Sequence, residues 1–282
     1  MNSFSNNKQI AILLSTYNGD KFLRSHLDSL VNQSVKNFNV FIRDDGSIDG
    51  TREIVEVYCK KYSNFYQIPS TNNVGAAESF LYLLKMVESD YYMFADQDDI
   101  WLRNKVRNAY RFIKEVESQF LLLPTLIFTD AFVTDSKLNV LQNSFLRVSG
   151  ICTDFITSKG YVYVTNVAPG CTYIFNKSLR DISLCPVAMV PMHDWWLLLN
   201  AYKYGNLNFL NTADILYRQH EKNVIGVQYR SSLQFMSKLL NFRETIGNQI
   251  SQYQFLKQNH FVNNLAEFFF YKLKFNMKFM LR

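Results

Sequence analysis

Three observations predict an α/β fold built on a single, mostly parallel central sheet flanked by helices. Short continuous apolar runs begin near residue 10 and recur through residue 95, stretches of helically spaced apolar residues separate them, and each run stops in polar residues. An unbroken apolar run of five or six residues marks a strand buried on both faces. Strands alternating with amphipathic helices mark crossover connections, and so a parallel sheet.

Residues 10–15, Ile-Ala-Ile-Leu-Leu-Ser, are the first such strand, and Thr16-Tyr17-Asn18-Gly19 breaks it as a turn. Phe22, Leu23, His26, Leu27, Leu30 and Val31 then recur at helical spacing. Residues 39–43 form a second strand, ended by Asp44-Asp45-Gly46-Ser47-Ile48-Asp49-Gly50-Thr51. Ile54, Val55, Tyr58 and Tyr62 mark the next helix. Asn72-Asn73-Val74-Gly75 is a turn, and a helix with Phe80, Leu81, Leu84 and Val87 on one face follows it.

The third strand opens residues 91–101, Tyr-Tyr-Met-Phe-Ala-Asp-Gln-Asp-Asp-Ile-Trp, and delivers Asp96, Asp98 and Asp99 within four positions. Carboxylates this close repel one another unless a cation sits among them. Residues at i and i+2 share one side of an extended chain, so Asp96 and Asp98 are expected to address one ion while Gln97 points away. The other reading is a polar cap on a helix beginning near Trp101.

Ligands of parallel sheets bind beyond the carboxyl ends of the strands, where this chain places Ser15-Thr16-Tyr17, Asp44-Asp45 and Asp96-Gln97-Asp98. Neither the G-x-G-x-x-G of dinucleotide folds nor the phosphate-loop pattern occurs, so bound phosphates would need a metal at the carboxylates. The second half is less regular. Residues 126–128 read as a strand ending at Thr129-Asp130, residues 161–167 as a β-rich run leading into a further strand at 173–175, and residues 207–210 as a short strand. Met192-His193-Asp194-Trp195-Trp196 opens an apolar helix, and residues 215–220 close this part of the chain.

Composition narrows the class. At 282 residues, with 48% hydrophobic and 19% charged residues, the chain suits one large domain, or one domain with an appendage. No apolar run reaches the roughly 18 residues of a membrane span, and residues 1–9 lack the apolar segment of a secretory signal. Cys59, Cys152, Cys171 and Cys185 have no metal-type spacing, so reduced, mostly buried thiols and a cytosolic location are expected. Residues 228–282 hold eight basic and two acidic side chains, which accounts for the whole net charge of +6. That division sets a domain of residues 1–227 apart from a basic, helical extension over 228–282.

Assembled, Ser15-Thr16-Tyr17-Asn18, Asp44-Asp45-Gly46-Ser47-x-Asp49-Gly50-Thr51, Asp96-Gln97-Asp98-Asp99, His193-Asp194-Trp195-Trp196 and Tyr217-Arg218-Gln219-His220 make the chain resemble the family 2 glycosyltransferases over residues 9–227. Their fold is the Rossmann-like A-type nucleotide-sugar fold. The wording of the last three motifs resembles the rhamnosyltransferase-like branch of bacterial surface-polysaccharide synthesis, although Arg103 stands where that branch often has proline. The resemblance implies an inverting, metal-dependent transferase taking a dTDP- or UDP-sugar, with rhamnose suggested by the branch alone. The acceptor would be a glycan or lipid-linked glycan precursor.

By the same resemblance Ser15, Tyr17, Asp45 and Asp96 hold the nucleotide, with Asp45 accepting from a pyrimidine ring N–H and Tyr17 stacking on the base. Asp98, with Asp96 and His220, is the expected ligand set for Mn²⁺ or Mg²⁺, ions that prefer hard oxygen donors. Asp194 is the expected catalytic base, partly desolvated by His193, Trp195 and Trp196. Trp195, Trp196 and Gly170, within the 166–172 segment, are the expected acceptor wall. Each residue also has a structural reading: helix caps for Asp44, Asp45 and Asp194, core for the tryptophans and a structural histidine at 220. Rival functions are a glycosidase, a phosphatase using the same carboxylates, and a non-catalytic nucleotide-sugar-binding module. The basic extension suits peripheral contact with the inner face of the plasma membrane or, since its lysines do not segregate to one helical face, packing on the catalytic domain or on a partner chain, and no nucleic-acid motif accompanies it.

Overall fold

The computed structural model describes residues 4–5, 8–70, 72–120, 123–151, 160–186, 190–221 and 242–280. The strands are β1 (Phe4–Ser5), β2 (Ile10–Thr16), β3 (Phe38–Asp44), β4 (Phe65–Ile68), β5 (Val87–Glu88), β6 (Tyr91–Asp96), β7 (Ile100–Trp101), β8 (Thr125–Thr134), β9 (Val140–Gln142), β10 (Tyr173–Asn176) and β11 (Asn206–Arg218). The helices are α1 (Asp20–Val31), α2 (Thr51–Lys61), α3 (Ala76–Met86), α4 (Lys105–Glu117), α5 (Phe145–Val148), α6 (Lys177–Ser183), α7 (His193–Tyr204), α8 (Phe242–Gln258) and α9 (Leu265–Met280).

A nine-stranded sheet runs in the order β4-β3-β2-β6-β10-β8-β11-β7, with β9 paired to β8. Strands β4, β3, β2 and β6 are parallel, and β8 and β11 are parallel to each other. The antiparallel exceptions are β10, between β6 and β8, β7, on β11, and β9, on β8. The predicted mostly parallel α/β sheet is therefore present. Its side chains divide as a strand buried on both faces requires. Ala11, Leu13, Tyr92 and Phe94 enter one core, and Ile10, Ile12, Leu14, Met93 and Ala95 enter the other.

Several predicted elements shift. The helix expected near Trp101 begins at Lys105, because Ile100 and Trp101 pair with Leu216 and Ile215 as β7. Residues 161–167 contain no strand; Tyr161–Tyr163 form a single 3₁₀ turn after Gly160, whose φ of 97° turns the chain. The two segments expected at 207–210 and 215–220 are one long strand, β11, with register shifts between Leu210 and Leu216. Of the described cysteines only Cys171 is buried, and Cys185 is exposed; Cys152 lies outside the described residues.

The expected domain boundary at 227/228 also lies outside the described residues. Beyond it, α8, α9 and the turn between them deliver Phe255, Leu256, Phe261, Val262 and Phe268 into the core that holds Trp195 and Trp196. Deep in the sheet, the fully buried Lys105 ammonium lies 3.4 Å from Asp214 Oδ1 and 4.8 Å from the Trp101 ring centroid. The Thr129 hydroxyl donates to the same Asp214 oxygen at 2.9 Å. Asp214→Ala would leave that ammonium unpaired, so a loss of about 3–5 kcal/mol is expected, read as a lower denaturant midpoint.

Candidate active site

The site forms where β2 feeds right and left, to β3 on one side and to β6 on the other, the topological switch point of a parallel sheet. Ser15 stands level with Asp96 on one neighbour, and Thr16 with Asp44 on the other. The loops beyond these strands are stitched together. The Thr16 hydroxyl donates to Asp44 Oδ1 at 3.1 Å, the Asn18 N–H donates to Ser47 Oγ at 2.9 Å, and the Ile48 N–H donates to Asn18 Oδ1 at 2.9 Å. Burial would raise Asp44, but bonds from Ser47, Arg52 and Thr16 outweigh it and hold its carboxyl below the usual range.

Gln97 does not point away. Its side-chain amide closes on Tyr17, accepting from the Tyr17 N–H and donating to the Tyr17 carbonyl, both at 2.9 Å. The amide also occupies the space where any side chain at Gly19 would begin. The loop carrying Tyr17 is thus strapped to the carboxylate turn, and the Tyr17 ring is left 49% exposed.

Asp45 is buried and caps the segment before α3, its Oδ1 accepting from the Val74 N–H (2.9 Å) and its Oδ2 from the Gly75 N–H (2.8 Å). Arg43 pairs with Oδ1. The Ser15 hydroxyl shares a 2.6 Å hydrogen bond with Ser79.

At the carboxylate turn, His220 Nε2 and Asp98 Oδ2 are 2.7 Å apart, and the His220 ring packs on Phe22 at 4.8 Å. Arg218 locks the turn: its Nε donates to the Asp98 carbonyl (2.7 Å), its backbone N–H to Asp99 Oδ1 (3.1 Å) and its Nη1 to the Ser136 carbonyl (2.7 Å). His26, its pKa pushed down to about 4 by burial, is neutral and donates from Nδ1 to the Asp99 carbonyl. Asp99 is therefore the structural member of the trio. It is buried, does not line the cavity, and burial with the Asp98 and Asp96 charges raises its pKa well above the carboxylate range.

Burial and the charges of Asp98 and Asp194 push Asp96 up to about 7. Asp96, Asp99 and Cys171 bring their ligating atoms within 4.8 Å of one another. Burial keeps the Cys171 thiol protonated, so it hydrogen-bonds the carboxylates rather than presenting a thiolate. Oxygen donors on Asp96 and Asp98, the first raised by the charge of the second, fit a hard divalent cation. His220 adjoins that set through Asp98.

Across the cavity, Asp194 sits in the first turn of α7, two residues past the capping residue Met192, so it is not the helix N-cap. Its Oδ1 accepts from the Trp195 N–H (2.7 Å) and its Oδ2 from the Gly170 N–H (3.1 Å). Burial nevertheless pushes its pKa up to about 6, against the lowering bonds from Trp195, Gly170 and Asn166. His193, driven down to about 3 by burial, is neutral and stacks on Phe80 at 4.0 Å.

Trp195 and Trp196 do not reach the cavity. Each spends its indole N–H on a carbonyl, Val162 and Ser183 respectively, and packs against Phe255. They hold the helix that carries Asp194 and offer no ring face to a sugar. Gly170 does line the cavity, and its missing side chain matters: a Cβ there would lie 2.9 Å from the Asp194 Cβ and 3.2 Å from His193 Nε2. Gly170→Ala is expected to lower kcat at least tenfold by displacing Asp194, with donor affinity nearly unchanged in a binding titration.

One cavity of about 1340 Å³ takes in Ser15, Tyr17, Asp45, Asp96, Asp98, Gly170, Asp194 and His220. Of the predicted site residues only the two tryptophans are missing from its wall. Gln97 and Arg218 are the positioning residues that sequence reasoning left without a role, although both sit inside the motifs quoted above.

Comparison with known proteins agrees with this architecture. The family model for glycosyl transferase family 2 matches residues 11–182, which include the Ser15 to Gly170 part of the site but neither Asp194 nor His220. The dTDP-rhamnosyl transferase RfbG of Shigella flexneri is 29% identical over 234 residues, covering 76% of this chain and 73% of RfbG. The crystal structure of Staphylococcus aureus TarS 1–349 with UDP superposes with a TM-score of 0.58 at 21% identity, covering 75% of this chain. This chain spans 60% of that TarS fragment. A mannosyltransferase from Pyrobaculum calidifontis, solved with GDP-Man and Mn²⁺, superposes with a TM-score of 0.50 at 13% identity, covering 74% of this chain and 57% of its own.

Proposed function

The chain belongs to glycosyl transferase family 2, and from that premise we propose that it transfers a sugar, with inversion, from a dTDP- or UDP-sugar to a hydroxyl of a cell-surface glycan precursor. The observation that carries this reading is the convergence of residues 15, 17, 45, 96, 98, 194 and 220 on one cavity. Chain segments two hundred residues apart meet there at a switch point, where open parallel sheets bind their ligands.

In this reading the half-exposed Tyr17 ring stacks on the base. Asp45 Oδ2, with one backbone donor, accepts from the pyrimidine ring N–H. Asp96 and Asp98 would hold Mn²⁺ or Mg²⁺, which when bound offsets the diphosphate charge. Asp194 takes the proton from the acceptor hydroxyl as its oxygen bonds to the anomeric carbon. The bond from that carbon to the diphosphate oxygen breaks, and the electron pair leaves with the nucleoside diphosphate. A single displacement inverts the centre. RfbG, named for dTDP-rhamnosyl transfer, is the support for rhamnose.

A thermal-shift panel tests the donor class, because a ligand that binds only the native state raises Tm by mass action. UDP or dTDP is expected to stabilise the protein more with Mn²⁺ than without it, and GDP is expected to leave Tm unchanged. A shift with GDP alone would overturn the pyrimidine assignment.

A further inference from the structure

Helix α9 has two apolar faces, and among the described residues only one packs on the fold. Phe268 and Phe275 are buried, and Phe275 also lines the cavity beside Tyr161. The helix is seated closely, since a Cβ at Gly160 would collide with the Tyr271 ring. On the opposite side Leu265, Phe269, Leu273 and Met277 follow one another at four-residue spacing, with Phe270 beside them. These five side chains are 46%, 48%, 61%, 54% and 60% exposed. At 3.6 residues per turn, Asn276 falls within this face, Lys272 along one edge and Lys274 along the other. The Lys272 ammonium lies 4.7 Å from the Phe268 ring centroid and that of Lys274 5.9 Å from the Tyr161 ring centroid.

We propose that this face of α9 lies in the interfacial layer of an anionic lipid bilayer. An apolar helix face bordered on both edges by lysines is the pattern of a helix lying in that layer, with its rings among acyl chains and its ammonium groups level with phosphates. Residues 228–282 supply all of the net charge of +6, so the extension carries the sign that anionic headgroups attract. A second copy of the chain is the poorer occupant, because a two-fold contact through this face would bring the same lysines together. The helix is too short and insufficiently apolar to span a bilayer, and lying flat it would hold the cavity mouth near the surface. The surface stands apart from the donor reading, since vesicle binding needs no turnover.

Flotation of the full chain with phosphatidylcholine vesicles, with and without phosphatidylglycerol, tests it. The protein is expected to float with the phosphatidylglycerol vesicles, to stay behind with phosphatidylcholine alone, and to release as salt rises. Phe270→Glu and Leu273→Glu, both on exposed positions, are expected to weaken binding by roughly tenfold each while Tm and nucleotide binding stay as in the unsubstituted protein. Equal flotation on both vesicle types, or none on either, would overturn the proposal. So would a dimer in size-exclusion chromatography that Leu273→Glu converts to monomer. The salt series on the unsubstituted chain decides the question even if a variant fails to fold.

Discussion

Asp194→Asn is expected to lower kcat by roughly a hundred- to ten-thousandfold, the contribution of a positioned general base, while the protein still binds nucleotide. Asparagine matches the shape, but only one of its terminal atoms can accept, whereas Asp194 accepts from both the Trp195 and the Gly170 N–H. A stability loss of about 1–3 kcal/mol is therefore also expected. Nucleotide-induced Tm shifts measured on the variant itself separate that loss from the loss of the base. Near-normal turnover would mean that another group takes the acceptor proton.

The same residue sets a pH dependence. The base works ionised, so kcat/KM should rise about tenfold per pH unit up to about 6, the value to which burial raises Asp194, and level off above it. Stability runs the other way. A carboxyl raised in the folded state stabilises most below its unfolded value, and that contribution is lost as pH climbs through about 6. Activity and the Asp194 share of stability should therefore cross in opposite directions, visible in parallel rate and Tm profiles.

Asp98→Ala is expected to cost a hundredfold or more in kcat/KM, the order associated with losing a cation that stabilises the transition-state charge by several kcal/mol. The metal-dependent part of the nucleotide Tm shift should vanish with it. In the unsubstituted protein, chelation by EDTA should reproduce the loss, and added Mn²⁺ or Mg²⁺ should restore activity. Full activity after exhaustive chelation would show that the carboxylate turn acts through its hydrogen bonds to His220 and Arg218 instead.

Strands β2, β3 and β6 were legible because both faces of each are buried, which writes an unbroken apolar run into the sequence. Strand β4 was not, because Phe-Tyr-Gln-Ile has only its two ends buried and lies at the sheet edge. Strand β11 hid for another reason: Asn211, Thr212 and Asp214 interrupt its apolar pattern where the register shifts, and the buried Asp214 is met by Lys105 and Thr129 from far along the chain. Strand β7 exists through its pairing with β11, information that no local window holds.

The site followed the same division. Polar residues at the ends of buried strands pointed to one edge, and the structure brings them together. Gln97 could not be oriented by strand alternation, because the strand has ended at Asp96 and a turn follows. Trp195 and Trp196 were ambiguous because residues 193–201 are buried all round α7, so no polar face marks the cavity side. The carbonyls that accept the two indole N–H groups, Val162 and Ser183, come from separate segments and decided their role.

The most direct test is a crystal structure of the protein with UDP or dTDP and Mn²⁺. The expected result places the base between Tyr17 and Asp45, the metal against the Asp98 carboxylate, and the free diphosphate end facing Asp194. Nucleotide bound outside this cavity, or bound within it with its diphosphate turned away from Asp96 and Asp98, would contradict the assignment of donor, metal and base together.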